Sequence, residues 1–236
     1  MSIPSGAIVA HASATERVAY LRRVLTTTLL GLGLSTGVSL AFMPVLFLFP
    51  GLLSRWAAMG IILGSWAVTN FVAAPMVHGN AKWAGFVLGT GAQGLSMSLL
   101  LTMAAVVSMA SYGNPFVLAG LALGLTFFAG LGMAAYTWSA PRDFSLIGAG
   151  LSALGLPMLL LMGVSFAFPS WFGGAFGIGL SVLFVGISAA GLLYQLNQVI
   201  HQYRTNMHIE GAYTITIGLL VLYWNILTLL MRLNRR

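Results

Sequence analysis

Acidic residues are almost absent from this chain, and their scarcity restricts the fold more than any other feature. Only Glu16, Asp143 and Glu210 occur in 236 residues, and all three lie outside the long apolar runs. Charged residues make up 6% of the chain and hydrophobic residues 59%, whereas about 25% of a typical soluble domain is charged. The sequence therefore predicts an integral membrane protein whose surroundings are a lipid bilayer. Proton and metal-cation pathways usually keep an ionisable side chain inside the membrane, and no predicted span contains one.

Seven apolar runs are each long enough to cross the hydrocarbon core of a bilayer, which takes about 20 helical residues. Turn-forming residues, among them Pro50 and Pro169, separate the runs, so consecutive helices are expected to be antiparallel neighbours. The pattern predicts an all-α polytopic membrane helix bundle, with an N-terminal polar tail at 1–23 and a single membrane domain at 24–236. The runs cover residues 24–49, 56–77, 84–110, 115–138, 145–168, 171–196 and 211–231.

The distribution of lysine and arginine predicts how the chain lies in the membrane. With the N-terminus in the cytoplasm, six basic residues fall on the inside and Arg55 alone falls in an outside loop, which obeys the positive-inside rule. We expect a bacterial inner-membrane protein in this orientation. Arg232, Arg235 and Arg236 follow the last run, and they lie outside against the rule if that run spans but inside if it re-enters, so the sequence allows the C-terminus on either side. The inside set is Arg17, Arg22, Arg23, Lys82, Arg142 and Arg204.

Sequence signatures of catalysis and of metal binding are missing. The chain has no cysteine, no phosphate-binding glycine loop, and neither the H-E-x-x-H nor the G-x-S-x-G motif. His201 and His208 lie seven residues apart in the polar 197–210 connection, and two histidines are too few for a metal site. We therefore expect no enzymatic activity, no cofactor and no metal. Because the basic residues cluster at the ends of the runs, nucleic acid is not an expected partner either.

Polar side chains inside the predicted spans are the candidates for a functional site. An amide in lipid needs a hydrogen-bond partner, so each is expected to face the bundle interior, where an ordinary interhelical hydrogen bond is the alternative to a functional role. On the last run, Thr214, Gly218, Asn225 and Thr228 share one face, a stripe typical of a helix surrounded by other helices. The amides are Asn70, Gln93, Gln195, Asn197, Gln198 and Asn225.

Three pairs of glycines have the small-xxx-small spacing that lets two helix backbones approach closely. We expect these pairs to pack helices within the chain, and homodimerisation is the alternative. The pairs are Gly33 and Gly37, Gly120 and Gly124, and Gly173 and Gly177.

Four segments resemble motifs of the Bax inhibitor-1 family, also called the transmembrane BAX inhibitor motif or YccA-like family. They occur in the order of the family and cover most of the chain from the third run onward. The segments are GLSMSLL at 94–100, AYTWSAPRDFSLIG at 135–148, YQLNQV at 194–199 and LYWNILTLL at 222–230.

The resemblance implies a fold in which six helices surround a central, polar-tinged seventh helix. It also implies an activity, since some relatives are described as pH-sensitive calcium leak channels gated by two aspartates, and others as modulators of a membrane-anchored protease. Gln195 and Asn225 stand where the motifs have those aspartates. The polar core around them is expected to include Asn197, Gln198, Thr214 and Thr228.

An amide pair at these positions changes the chemistry that the family motif implies. Two neighbouring carboxylates titrate together, whereas amides do not titrate and offer calcium no anionic ligand. We therefore expect a non-catalytic accessory or scaffold subunit, or a regulator of a larger membrane complex or membrane protease. The alternative is a calcium leak channel or ion-homeostasis protein, as in the parent family. A small-molecule transporter is a third possibility, although no inverted repeat is evident.

Overall fold

The computed structural model describes residues 7–139, 148 and 174–234. In these residues the chain is helical throughout, apart from turns and one isolated β-bridge, and six helices are long and apolar enough to cross a membrane. The all-α prediction is confirmed, but the count of seven spans is not, because the fifth predicted run lies outside the described residues except for Gly148. The helices are α1 Ala14–Leu48, α2 Arg55–His78, α3 Lys82–Tyr112, α4 Val117–Ser139, α5 Gly174–His201 and α6 His208–Leu233.

Helix α1 begins inside the segment that was predicted to be a polar tail. The Ser13 hydroxyl accepts a hydrogen bond from the Glu16 backbone N–H, and the Glu16 carboxylate accepts one from the Ser13 backbone N–H, which together form a capping box. The helix that starts here has 35 residues and is about 50 Å long, whereas the hydrocarbon core is about 30 Å thick. Its first turns therefore extend beyond the apolar run that begins at residue 24.

Residues before α1 are held against the connection between α5 and α6. The Val9 N–H donates to the Tyr203 carbonyl at 3.0 Å, and the Thr205 N–H donates to the Ala7 carbonyl at 3.0 Å. Ile8 and Arg204 form an antiparallel bridge, and the Val9 side chain is fully buried. This N-terminal segment thus covers the end of the bundle at which α1 and α6 begin.

Helix α2 contains a widened turn at Val68–Ala73 with π-helical geometry. Pro75 follows directly, and because proline has no backbone N–H, it cannot donate to the carbonyl four residues earlier. The Thr69 carbonyl in this turn accepts a hydrogen bond from the Tyr213 hydroxyl at 2.8 Å. The same carbonyl accepts the Ala74 backbone N–H, and the hydrogen bond from Tyr213 ties α2 to α6 at this turn.

Helix α6 is the central helix of the described bundle, since it packs against α1, α3, α4 and α5. Buried apolar residues fill the space around its middle, among them Leu100, Leu192 and Leu222. Helices α1 and α3 also cross closely, where the Ser39 hydroxyl donates to the Gly94 carbonyl at 2.8 Å. A Cβ at Gly94 would come within 2.7 Å of the Ser35 carbonyl oxygen, so this crossing requires glycine.

Candidate functional site

Gln195 lies near the end of α5, and its side chain rests on Gly218 of α6. A Cβ added at Gly218 would overlap Gln195 Oε1 and come within 3.0 Å of Leu192 Cδ1. The absence of a side chain at Gly218 therefore makes room for the amide. Gln195 Oε1 is buried and has no hydrogen-bond partner among the described residues. Sequence analysis placed both residues in the polar interior, and the structure brings them into contact.

Asn225 lies on α6, seven residues after Gly218, and its amide nitrogen donates to the Val221 carbonyl at 3.0 Å. Gly218, on which the Gln195 amide rests, thus lies about 10 Å before Asn225 along the axis of α6. No hydrogen bond joins the two residues that stand in the family's aspartate positions, since Gln195 Oε1 has no partner among the described residues and the Asn225 amide nitrogen bonds to its own helix. Their identification with the family site stays a prediction.

The four residues predicted to support the polar core bond mostly within their own helices. Thr214 and Thr228 each donate to the carbonyl four residues earlier, at 2.9 and 2.8 Å, and Gln198 donates to the Tyr194 hydroxyl at 3.0 Å. Asn197 is buried, and its Oδ1 has no partner among the described residues. Local bonds of this kind leave little hydrogen-bonding capacity directed across the bundle.

Glu210 and Lys82 form a partly buried ion pair that sequence analysis missed. The Lys82 Nζ lies 2.6 Å from Glu210 Oε1, and the exposed fraction of the side chain is 3% for Glu210 and 37% for Lys82. Glu210 was predicted to lie in an ordinary polar connection, and that prediction is wrong, because α6 already begins at His208. A carboxylate in the first helical turn also interacts favourably with the helix dipole.

A signal for this pair was present in the sequence. Lys82 is the first residue of α3 and Glu210 lies in the first turn of α6, so each is a charged residue next to an apolar run. Opposite charges that border runs at the same end of a bundle are candidates for pairing, because an isolated charge is costly to bury.

The surroundings of the ion pair are mostly apolar. Tyr20 is buried beside it, and its hydroxyl would lie 2.7 Å from a Cβ at Gly211. Neither the Tyr20 hydroxyl nor Glu210 Oε2 has a hydrogen-bond partner among the described residues. Val9 and Val199 belong to the same buried cluster as Tyr20, so the N-terminal segment helps to close this end of the bundle.

The described residues contain no group of three or more histidine, aspartate or glutamate side chains that could hold a metal ion. His201 is half-buried, and its Nε2 has no partner within the described part of the chain. His208 lies in the first turn of α6, within electrostatic range of Arg23, Lys82 and Glu210. The two histidines that were noted in the sequence therefore lie in different environments.

Two of the three glycine pairs face open space. A Cβ at Gly33, Gly37, Gly120 or Gly124 would meet no atom within 4 Å among the described residues. The expected packing within the chain is therefore not found at these pairs. In the third pair, Gly177 is buried and its carbonyl accepts a hydrogen bond from Arg232, whereas Gly173 lies outside the described residues.

Comparison with known proteins agrees with the resemblance found in the sequence. The family model described as "Inhibitor of apoptosis-promoting Bax1" matches residues 17–236. No curated protein and no solved structure matches the chain. Since the matched range covers nearly the whole chain and includes all six described helices that could span a membrane, the chain belongs to the Bax inhibitor-1, or YccA-like, family.

Proposed function

We propose that this membrane protein is a non-catalytic accessory, scaffold or regulatory subunit of a larger membrane complex. The observation that carries the proposal is a set of glycine pairs that no other described helix covers. Gly33 and Gly37 on α1, and Gly120 and Gly124 on α4, contact no other helix among the described residues. Such pairs let a second helix approach closely, and close packing is a main source of helix association in lipid.

Helix α2 carries a further pair with the same spacing. Gly60 and Gly64 are exposed, and a Cβ at either position would meet no atom within 4 Å among the described residues. Together the three pairs give this chain several faces suited to a helix of another membrane protein. A protein that acts through such contacts needs no titratable site of its own.

The interior around α6 favours this proposal over conduction of calcium. Leu192 and Leu196 of α5 and Leu220 of α6 belong to one buried apolar cluster, near Gln195 and Gly218. Gln195 and Asn225 are neutral, whereas calcium sites normally rely on carboxylate ligands. A neutral and apolar interior supports a packed bundle more than an ion pathway.

We further propose a bacterial inner membrane as the location, with the N-terminus in the cytoplasm. The positive-inside distribution of lysine and arginine supports this orientation.

Purification from native membranes in a mild detergent tests the proposal. The particle mass and the co-purifying proteins are measured together, and we expect a stoichiometric assembly much larger than the chain mass of 24.9 kDa. The paired variants G33L/G37L, G60L/G64L and G120L/G124L are compared with G132L/G179L, whose exposed glycines do not form such a pair. At least one paired variant should lose the partner while the control keeps it.

Two results would contradict the proposal. One is a wild-type particle with only the mass of the chain and its detergent. The other is an assembly that survives in all three paired variants as well as in the control. A wild-type calcium leak in liposomes that responds to pH would instead assign the protein to the channel class.

A further inference from the structure

A groove runs along the first turns of α1 beside the start of α6. Its volume is about 590 Å³, and it is open to the surface. Arg22, Arg23 and His208 line its polar part, while Val18 and Ala19 line its apolar part. The groove is therefore amphiphilic and lies at the end of the bundle where the first apolar run begins.

The groove is positively charged, and its charge is not balanced by the described acids. Glu16 is held in the capping box with Ser13, and Glu210 is paired with Lys82. Neither carboxylate lines the groove. With both carboxylates engaged elsewhere, Arg22 and Arg23 carry the charge of the groove.

The depth of the two arginines matches the headgroup layer of a membrane. Arg22 and Arg23 directly precede the apolar run that starts at residue 24, and both are exposed. Farther along α1, the exposed side chains of Leu25, Leu29 and Leu30 continue toward the membrane interior. A molecule bound here would meet guanidinium groups at one end and aliphatic side chains at the other.

We infer that this groove binds an anionic glycerophospholipid, with its phosphate on Arg22 and Arg23 and an acyl chain along α1. Guanidinium groups can hold a phosphate through two parallel hydrogen bonds, and basic pockets beside membrane helices suit anionic headgroups. The leucines beyond the groove favour a lipid over a soluble phosphate. A zwitterionic choline lipid fits less well, because its ammonium group would meet no carboxylate among the described lining residues.

Native mass spectrometry of the full chain in a mild detergent tests this inference. Phosphatidylglycerol and phosphatidylcholine are added at equal concentrations, and the bound lipid is counted for wild type, R22Q, R23Q and R22Q/R23Q. Arg17→Gln is the matched control, since it removes one positive charge from the same helix outside the groove. All these substitutions lie at the polar start of α1, where glutamine is compatible with the helix.

We expect wild type and R17Q to retain one phosphatidylglycerol in preference to phosphatidylcholine. Each groove substitution should weaken that retention about fivefold, and the double substitution about thirtyfold. The inference is overturned if R22Q/R23Q retains phosphatidylglycerol as well as wild type does, or if R17Q loses it equally. Displacement of the lipid by millimolar inorganic phosphate would also overturn it, because the groove would then be a site for soluble anions.

Discussion

The end of the bundle where α1 and α6 begin and the interior beside the middle of α6 bury polar groups in different ways. At the end, Lys82 and Glu210 pair across 128 residues of sequence. In the interior, Asn225 and Thr228 bond to their own helix, and Gln195 is accommodated by the missing side chain of Gly218. A polar group is thus stabilised by an ion pair where one partner can reach water. Deeper in the bundle, polar side chains are accommodated by a glycine or by hydrogen bonds within their own helix.

Removal of one partner of the ion pair should have the largest effect on stability. Lys82→Ala leaves the Glu210 carboxylate buried without a counter-charge, and such a change costs about 3–5 kcal/mol for a buried pair. Because Lys82 is 37% exposed, we expect the lower end of that range. Thermal unfolding in detergent should show a clearly lower midpoint.

The double variant K82M/E210M is the control for the Lys82 prediction. It removes both charges and keeps side chains of similar length, so most of the lost stability should return. If K82M/E210M is no more stable than Lys82→Ala, the loss does not come from an unpaired carboxylate, and the charged end of the bundle does not differ from the interior in the way described.

Gly218→Ala should have the next largest effect on stability. This substitution tests the shape of the interior and not its charge. The added Cβ overlaps Gln195 Oε1 and presses on Leu192, and overpacking of this kind costs about 1–3 kcal/mol. Gly186→Ala on α5 is the matched control, since its Cβ would meet open space among the described residues. The unfolding midpoint should fall for Gly218→Ala and stay near the wild-type value for Gly186→Ala. Equal midpoints would show that Gln195 moves aside without cost.

Much of the fold follows from sequence because hydropathy is a local property. The run predicted at 211–231 corresponds to α6 at His208–Leu233, and the stripe from Thr214 to Thr228 correctly indicated a helix surrounded by others. The capping box at Ser13 and Glu16 is also local and was available in the sequence. Apolar runs alone do not indicate it, because the first turns of α1 are polar.

The contacts that define the candidate site depend on how distant helices cross. The distance between Gln195 and Gly218 is set by the approach of α5 to α6, and the ion pair of Lys82 with Glu210 joins α3 to α6. Periodicity indicates which face of a helix is buried, but not which residue of another helix lies opposite. For the same reason, alignment of Gln195 and Asn225 with family motifs did not predict that no hydrogen bond joins them in this structure.

A third prediction concerns the contact between α6 and the widened turn of α2, which lies between the two regions. Tyr213→Phe removes the hydroxyl that donates to the Thr69 carbonyl at 2.8 Å, and a hydrogen bond of this kind contributes about 1 kcal/mol. Tyr223→Phe is the control, because its hydroxyl lies 3.5 Å from the Ala119 carbonyl and forms only a weak bond. Tyr213→Phe should lower the unfolding midpoint more than Tyr223→Phe does, and the opposite order would contradict the geometry.

The smallest effect is expected for the coupling between restored carboxylates at Gln195 and Asn225. Q195D and N225D each place an acid in an apolar region, so each lowers stability by itself. Because no hydrogen bond joins the two positions, the two substitutions should combine additively, within about 0.5 kcal/mol, whereas two acids that share a proton couple far more strongly. Unfolding midpoints of both single variants and the double variant, together with calcium flux in liposomes, measure this coupling. Strong coupling, with a pH-dependent leak only in the double variant, would mean that α5 and α6 also adopt an arrangement in which the two positions meet. The contrast between a charged end and a locally bonded interior would then hold for only one state of the protein.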